Sequence, residues 1–258
     1  DRVMRPVRLG AVEYLNARPL VYGLGSSPRF SLRFDVPSRC AELLHASQID
    51  IGLIPSIEYA RRPRGDAPYA IVPDLAIASR GPVASVAIYT TRPMSDVRSI
   101  ALDTSSRTSI ALVRVLCARV FKIQPALESR GPDLARMLAK SDAALIIGDN
   151  ALVLPGGNIL VQTDGGVERY LTFDKVDLGE IWTRTTGLPF VYAFWAGRAG
   201  RLVTADVEAL QEARRQGVAH AEEIAAEYFA ASPEYRKLGE RYLRDNIKYT
   251  MGLEERAG

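Results

Sequence analysis

Short apolar runs alternate with helical patterns at the start of the chain, and this alternation constrains the fold more than any other feature. The predicted strands are residues 7–12, 31–36 and 50–54. A helix opens at Pro37-Ser38 between the last two of them. A β-α-β-α-β order favours a parallel sheet covered by helices. Ligands of such sheets bind beyond the carboxyl ends of the strands. The loops at 13–18 and at Pro55-Ser56 are therefore candidate site loops.

A second series of strands and helices follows Arg92-Pro93, which indicates a boundary. It comprises a strand at 100–102, a helix at 106–121, an extended run at 123–128, a helix at 132–140 and a strand at 143–147. Residues 190–195 form a strand that can return the chain to the first unit, and 204–251 is predicted to be helical packing broken at Ser232-Pro233.

These two α/β units, the second inserted in the first, predict a hinged two-lobe protein with an interlobe cleft. We expect residues 1–90 plus 191–258 to form lobe 1 and residues 91–190 to form lobe 2. A chain of 258 residues has room for two domains of this size. The expected cleft lining is Asn16, Ser56, Ser85, the turn at 103–108 and Asp149.

The turn at 103–108 joins the strand at 100–102 to an amphipathic helix. Ile110, Val113, Cys117, Val120 and Phe121 recur at helical spacing behind it. The first N–H groups of a helix lack intrahelical partners, and the dipole adds positive charge there. These groups are predicted to receive a carboxylate or phosphate together with five side chains of the turn. Those side chains are Thr104, Ser105, Ser106, Arg107 and Thr108. The alternative is a polar cap on an ordinary helix.

Composition excludes several classes of function. The net charge is only +3, and the basic residues are scattered; Arg61-Arg62-Pro63-Arg64 is too short for a nucleic-acid stripe. No apolar run approaches the roughly 18 residues of a membrane span. The first residues lack the apolar core of a signal peptide. We therefore expect a cytoplasmic protein with a small-molecule substrate, and neither a nucleic-acid nor a membrane partner; the oligomeric state stays open.

Cysteine and histidine give no sign of metal or redox chemistry. Cys40 and Cys117 fall inside apolar helical patterns without the spacing of a metal site. His45 and His220 lie in charged helical contexts and are predicted to be surface or packing residues. No nucleotide-binding glycine motif is present either, since Gly156-Gly157 and Gly165-Gly166 are typical of turns. We expect no cofactor and no metal.

Six segments, taken in order, resemble the chorismate dehydratases of the futalosine menaquinone pathway. They are YLNxxPL at 14–20, DIGLIPSIEY at 50–59, IASRGPVxSV at 77–86, LDTSSRTS at 102–109, IGD at 147–149 and WxxxTGLPFV at 182–191. The resemblance implies the type II periplasmic-binding-protein fold, in agreement with the two-lobe pattern. It also implies loss of water from chorismate to give 3-[(1-carboxyvinyl)oxy]benzoate, and it places Asn16 and Ser85 near the reacting ring.

This chemistry leaves the base unassigned. An amide is no base near neutral pH, so Asn16 would orient the substrate or stabilise developing charge. The proton acceptor is either the substrate's own side-chain carboxylate or Asp149, and Glu13 is expected to be structural.

Two other functions remain possible at this point. The 1,4-dihydroxy-6-naphthoate synthases of the same pathway are a sister family, but they carry a His where this chain has Gly148-Asp149. A solute-binding protein that captures an anion without chemistry would need no more than the fold.

Overall fold

The computed structural model describes residues 5–62, 65 and 67–258. Residues 1–4 of the N-terminal segment, and Pro63 and Arg64 of the basic stretch at 61–64, lie outside the described residues. The chain divides into two compact units. Unit 1 contains Asp1–Ser79 and Leu188–Gly258, and unit 2 contains Arg80–Gly187.

The described strands are β1 (Val7–Val12), β2 (Phe30–Asp35), β3 (Ile51–Pro55), β4 (Tyr69–Ile71), β5 (Ile77–Ser79), β6 (Val86–Thr90), β7 (Ser99–Leu102), β8 (Ala126–Ser129), β9 (Ala143–Ile147), β10 (Gly157–Gln162), β11 (Glu168–Asp177) and β12 (Phe190–Arg198).

The described α-helices are α1 (Pro37–His45), α2 (Ser56–Ala60), α3 (Arg107–Leu116), α4 (Leu134–Lys140), α5 (Gly148–Leu152), α6 (Leu178–Thr186), α7 (Thr204–Ala219), α8 (Ala221–Tyr228), α9 (Arg236–Arg241) and α10 (Leu253–Ala257). Short 3-10 helices cover Leu15–Val21, Leu24–Ser26, Met94–Asp96 and Pro233–Tyr235, and π-helices cover Cys117–Phe121 and Tyr242–Asn246.

The sheet of unit 1 has the order β2-β1-β3-β12-β4, and β5 also pairs with β12. The strand β1 is parallel to both β2 and β3, whereas β12 is antiparallel to β3. The predicted parallel opening is therefore present. The first connection differs from a regular helix, because residues 15–21 form a 3-10 helix that contains Pro19. The carboxyl ends of β1 and β3 point to the same edge, where Asn16 and Ser56 follow them.

The sheet of unit 2 has the order β10-β11-β6-β9-β7-β8. The strand β7 is parallel to β8 and β9, and β6 is antiparallel to β9 and β11. These pairings assign β6 to unit 2, so the units divide at 79/80 and 187/188 rather than at the predicted 90/91 and 190/191. The Pro at position 93 thus follows β6 inside unit 2 instead of marking the boundary.

The C-terminal region departs from the prediction of helical packing up to residue 251. Helical structure in residues 204–251 ends at Asn246, and Lys248 then forms a bridge with Ala78. The Lys248 N–H donates to the Ala78 carbonyl at 2.7 Å, and the Ala78 N–H donates back at 2.9 Å. The segment after Asn246 therefore extends along β5, and its side chains reach the neighbourhood of the 3-10 helix Leu15–Val21.

Both cysteines are free and buried, as predicted for core thiols. Burial is the main cause that raises the pKa of Cys40 to about 12 and the pKa of Cys117 to about 11. Both groups are therefore thiols at neutral pH and poor nucleophiles.

Candidate active site

The carboxyl ends of β7 and β9 bring together most of the site residues predicted in unit 2. Leu102 pairs with Leu145 in the parallel register, and the Asp103 N–H donates to the Leu145 carbonyl at 3.1 Å. The antiparallel strand β6 starts at the same edge, where the Gly148 N–H donates to the Ser85 carbonyl at 2.8 Å. Ser85, the turn at 103–108 and Asp149 are therefore neighbours along one edge of the sheet.

Asp103 organises the first half of the turn. Its Oδ1 accepts the Ser105 N–H at 3.0 Å and the Ser105 hydroxyl at 2.7 Å. Asp103 is buried, with only 7% of its surface exposed. The Ser105 hydroxyl therefore stabilises the turn locally. Because it donates its hydrogen to Asp103, it does not donate that hydrogen to a ligand in this arrangement. Thr104 lies on the exposed side of the turn.

Ser106 occupies the N-cap of α3. Its Oγ accepts the Ser109 N–H at 3.3 Å and the Ser109 hydroxyl at 3.1 Å. The capping alternative is thus correct for Ser106. In both contacts Ser106 is the acceptor, so neither contact uses its own hydroxyl hydrogen. Ser106 and Thr108 are buried and Arg107 is half-buried, which places the polar first turn of α3 directly beyond β7.

Asp149 lies in the short helix α5, whose far end is anchored to the core. The Tyr89 hydroxyl donates to the Ala151 carbonyl at 3.0 Å and to the Leu154 carbonyl at 2.6 Å. Lys175 Nζ also donates to the Ala151 carbonyl, at 2.7 Å, and burial lowers the pKa of this lysine. A cation at a helix C-terminus stabilises the exposed carbonyls. These contacts fix α5 and thereby the position of Asp149.

In unit 1, Asn16 lies in the 3-10 helix that follows β1. The Tyr249 hydroxyl donates to the Asn16 main-chain carbonyl at 2.6 Å. The side-chain Oδ1 of Asn16 is buried and has no hydrogen-bond partner among the described residues. Asn16 is no helix cap, because the helix begins at Leu15 and Tyr14 holds the N-cap position. A buried amide oxygen without a partner is costly and calls for an explanation.

Ser56 begins α2 at the carboxyl end of β3, in the loop that the sequence predicted. Its hydroxyl donates to the Val191 carbonyl on β12 at 2.8 Å. This contact joins the start of α2 to β12. Glu13, in the neighbouring loop, is exposed.

A buried polar cluster in unit 1 escaped the sequence analysis. His45 Nε2 lies 3.0 Å from Glu58 Oε2, and His45 Nδ1 lies 2.6 Å from the Tyr69 hydroxyl. Glu58 and Tyr69 are both buried. His45 is therefore a packing residue that joins α1, α2 and β4. The sequence did not indicate that Glu58 and Tyr69 are its partners, because the three residues belong to separate elements. His220 instead stacks on Tyr22.

Among the described residues, no group of three or more His, Cys, Asp or Glu side chains is placed to hold a metal ion. No helix in the same part of the chain combines the length and apolarity that a membrane crossing needs.

Comparison with known proteins identifies the family of this chain. A family model described as menaquinone biosynthesis matches residues 7–258. The chain belongs to this menaquinone-biosynthesis family. Two curated relatives are both chorismate dehydratases. The one from Thermus thermophilus is 31% identical over 268 aligned residues, covering 99% of this chain and 93% of the relative. The one from Campylobacter jejuni is 30% identical over 193 aligned residues, covering 71% of this chain and 64% of the relative.

Solved structures show the same fold at low sequence identity. A protein from Archaeoglobus fulgidus aligns with a TM-score of 0.65 at 16% identity, over 98% of this chain and 93% of that one. The Candida albicans CA3427 gene product, reported to have the generic periplasmic-binding-protein fold, aligns with a TM-score of 0.58 at 13% identity, over 95% and 82%. The alkanesulfonate-binding protein SsuA of Xanthomonas axonopodis aligns with a TM-score of 0.59 at 18% identity, over 97% of this chain and 88% of that one. The predicted α/β fold of the periplasmic-binding-protein type is confirmed.

The capping role of Ser106 generates a stability prediction. Replacing Ser106 with Ala removes the acceptor of the Ser109 N–H, so the free energy of unfolding should fall by about 1 kcal/mol. Chemical denaturation measures this change. Asp133→Ala is the matched control, because Asp133 caps α4 by accepting the Arg136 N–H at 3.1 Å and should lose a similar amount. Unchanged stability in Ser106→Ala alone would show that the hydroxyl does not cap α3.

Proposed function

We propose that this protein is a chorismate dehydratase, a hydro-lyase that converts chorismate to 3-[(1-carboxyvinyl)oxy]benzoate and water. The observation that carries the proposal is the match to a curated chorismate dehydratase along 99% of the chain. The polar edge formed by Ser85, the turn at 103–108 and Asp149 supports it chemically. A cytoplasmic location belongs to the same proposal, because a biosynthetic enzyme acts where its substrate is made.

The elimination depends mainly on how the protein orients chorismate. A base removes the proton from the ring carbon that bears the ether, and hydroxide leaves the neighbouring carbon and takes up a proton as water. The ring becomes aromatic, which drives the elimination. Holding the substrate in the reactive geometry and assisting the departing hydroxyl therefore account for most of what the protein supplies.

A carboxylate of chorismate fits the first turn of α3. Helix N-terminal N–H groups and the dipole favour an anion. The Ser106 hydroxyl hydrogen, which its two contacts with Ser109 leave unused, adds a donor directed to a charged acceptor. Hydrogen bonds to charged groups contribute about 1.5–3 kcal/mol each. We assign Ser106, Arg107 and Thr108 to carboxylate binding, with Thr104 and Ser105 as the outer part of the turn.

Asn16 is assigned to the departing hydroxyl. Its Oδ1 is buried and lacks a partner among the described residues, and an amide oxygen accepts the kind of hydrogen bond that a hydroxyl donates. The ring hydroxyl is the only O–H group of chorismate at neutral pH, because both carboxyl groups are ionised. The amide NH2 group of Asn16 can in turn donate to the oxygen as negative charge develops on it. Ser85 is assigned to the reacting ring and Ser56 to substrate binding.

Two groups are candidates for the base, and the geometry favours neither of them. Asp149 lies at the same edge as Ser85, because Gly148 is bonded to the Ser85 carbonyl. The substrate's own side-chain carboxylate is the other candidate and requires no protein group. Replacing Asp149 with Asn distinguishes them, since only a base on the protein would be lost.

Incubation of the purified protein with chorismate tests the function directly. We expect formation of the carboxyvinyloxy benzoate without added metal or nucleotide, detected by chromatography against the authentic compound. Enzyme treated with a chelator should keep its rate. Binding of chorismate without turnover would instead favour a solute-binding protein, and activity restored only by a divalent ion would contradict a cofactor-free reaction.

Replacing Asn16 with Ala separates a ligand-directed role from a structural one. The substitution removes a buried oxygen without a described partner, so thermal stability should stay the same or rise. The kcat for chorismate should fall about a hundredfold or more. A structural asparagine would behave in the opposite way, with a lower melting temperature and a nearly normal kcat. The matched control is Asn158→Ala on the exposed part of β10, which should leave kcat unchanged.

A further inference from the structure

One carboxylate in unit 2 holds two separate segments of main chain. Asp177 caps α6, because its Oδ1 accepts the Glu180 N–H at 3.1 Å. The same oxygen accepts the Val83 N–H at 3.0 Å, and Oδ2 accepts the Ala84 N–H at 2.7 Å. Capping requires only the first contact. The other two join the start of α6 to the loop that leads into β6.

This loop contains a main-chain conformation that needs support. Ala84 has a φ of 66°, in the left-handed region where a residue with a Cβ atom is disfavoured. Hydrogen bonds from main-chain N–H groups to a carboxylate are stronger than those between neutral groups. The two bonds from Asp177 therefore stabilise this conformation. Gly81 is held to the same helix, since its N–H donates to Thr183 Oγ1 at 2.9 Å.

The residue after Ala84 is Ser85. Its side chain is buried, with 2% of the residue exposed, and its carbonyl accepts the Gly148 N–H beside Asp149. Any relaxation of Ala84 toward ordinary dihedral angles rotates the peptide that leads into Ser85. The Ser85 hydroxyl then moves relative to the site edge. A displacement of about 1 Å can lower a rate about a hundredfold.

We propose that Asp177 is a positioning residue that orients Ser85 for the reaction by holding Ala84 in the left-handed conformation. The inference rests on the proposed function of Ser85 in chorismate dehydration. Asp177 itself acts only through the main chain of residues 83–85.

Replacing Asp177 with Asn tests the proposal, because Asn is as good an N-cap as Asp. Its single oxygen can serve the Glu180 and Val83 N–H groups, but the amide NH2 group then faces the Ala84 N–H and cannot accept from it. We expect kcat for chorismate to fall about ten- to a hundredfold while KM changes less than about threefold. The melting temperature should fall by a few degrees, because one charge-assisted hydrogen bond is lost. A cap with no further role would leave kcat at the wild-type value.

Asp142→Asn is the matched control. Asp142 Oδ2 also accepts a main-chain N–H, that of Arg98 at 2.8 Å, and Oδ1 pairs with Arg92. It lies just before β9, at the sheet edge opposite to Ser85. This variant loses a comparable contact and should keep the wild-type kcat. An equal loss of kcat in both variants would show that the effect is general destabilisation of unit 2 and would overturn the proposal.

Two further variants test the path through Ala84 and Ser85. Because Asp177 acts through Ser85, adding Asp177→Asn to Ser85→Ala should lower kcat by less than twofold beyond Ser85→Ala alone. Adding Ala84→Gly to Asp177→Asn should restore part of kcat, because glycine adopts a positive φ without the Cβ penalty. Multiplicative losses in the first double variant, or no recovery in the second, would contradict the proposed path.

Hydrogen exchange provides a readout that does not depend on activity. In the wild type the amides of Val83 and Ala84 should be protected, and in Asp177→Asn the Ala84 amide should exchange at least about tenfold faster, with no change in Asp142→Asn. If the wild type does not dehydrate chorismate, the proposed function fails while exchange still decides whether Asp177 holds the loop. Unchanged protection of Ala84 would overturn the inference even in an active enzyme.

Discussion

The parallel pairing of β7 with β9 is the constraint on which the candidate site of unit 2 depends. Parallel strands end at the same edge of a sheet, so the polar residues that follow them become neighbours although they are distant in sequence. The register Leu102 to Leu145 places the Asp103 turn beside Gly148 and Asp149. The antiparallel partner β6 starts where β9 ends, through the pairing of Val86 with Ile147, and this adds Ser85. A register shift in any of these strands would separate the three groups.

Strained or incompletely bonded positions accumulate at these strand ends. Ala84 has a positive φ of 66° and precedes Ser85, whose carbonyl accepts the Gly148 N–H. Asn16 Oδ1, beyond the end of β1 in unit 1, is buried without a described partner. Both features cost stability, and the packed strands of each unit supply the stability that tolerates them. Departures from local structural rules are expected at functional positions.

The sequence predicted best what depends on local pattern. The strands β3 and β9 are continuous buried apolar runs, β1 and β7 are buried from Leu9 and Ile100 onward, and the polar start of α3 follows from capping chemistry. The β10–β11 hairpin was missed because most of its residues are exposed and its sequence lacks a regular apolar alternation.

Contacts between distant segments had no local signal at all. Tyr249 holds the Asn16 carbonyl from a position 233 residues away, and it belongs to a segment that was predicted as helical packing. The division at 79/80 depends on which partners β6 chooses, and β6 is as apolar as the strands of either sheet. No local sequence pattern predicts the bonds of Asp177 to Val83 and Ala84, because these bonds depend on the tertiary structure.

A crystal structure with 3-[(1-carboxyvinyl)oxy]benzoate bound tests the central claim most directly. We expect one carboxylate to lie within hydrogen-bond distance of the Ser106 hydroxyl and of the first N–H groups of α3, with the aromatic ring beside Ser85. We also expect Asn16 to contact the ring side from which the hydroxyl departs. A product carboxylate held elsewhere, with no ligand atom near the first turn of α3, would contradict the assignment of this turn as the substrate site.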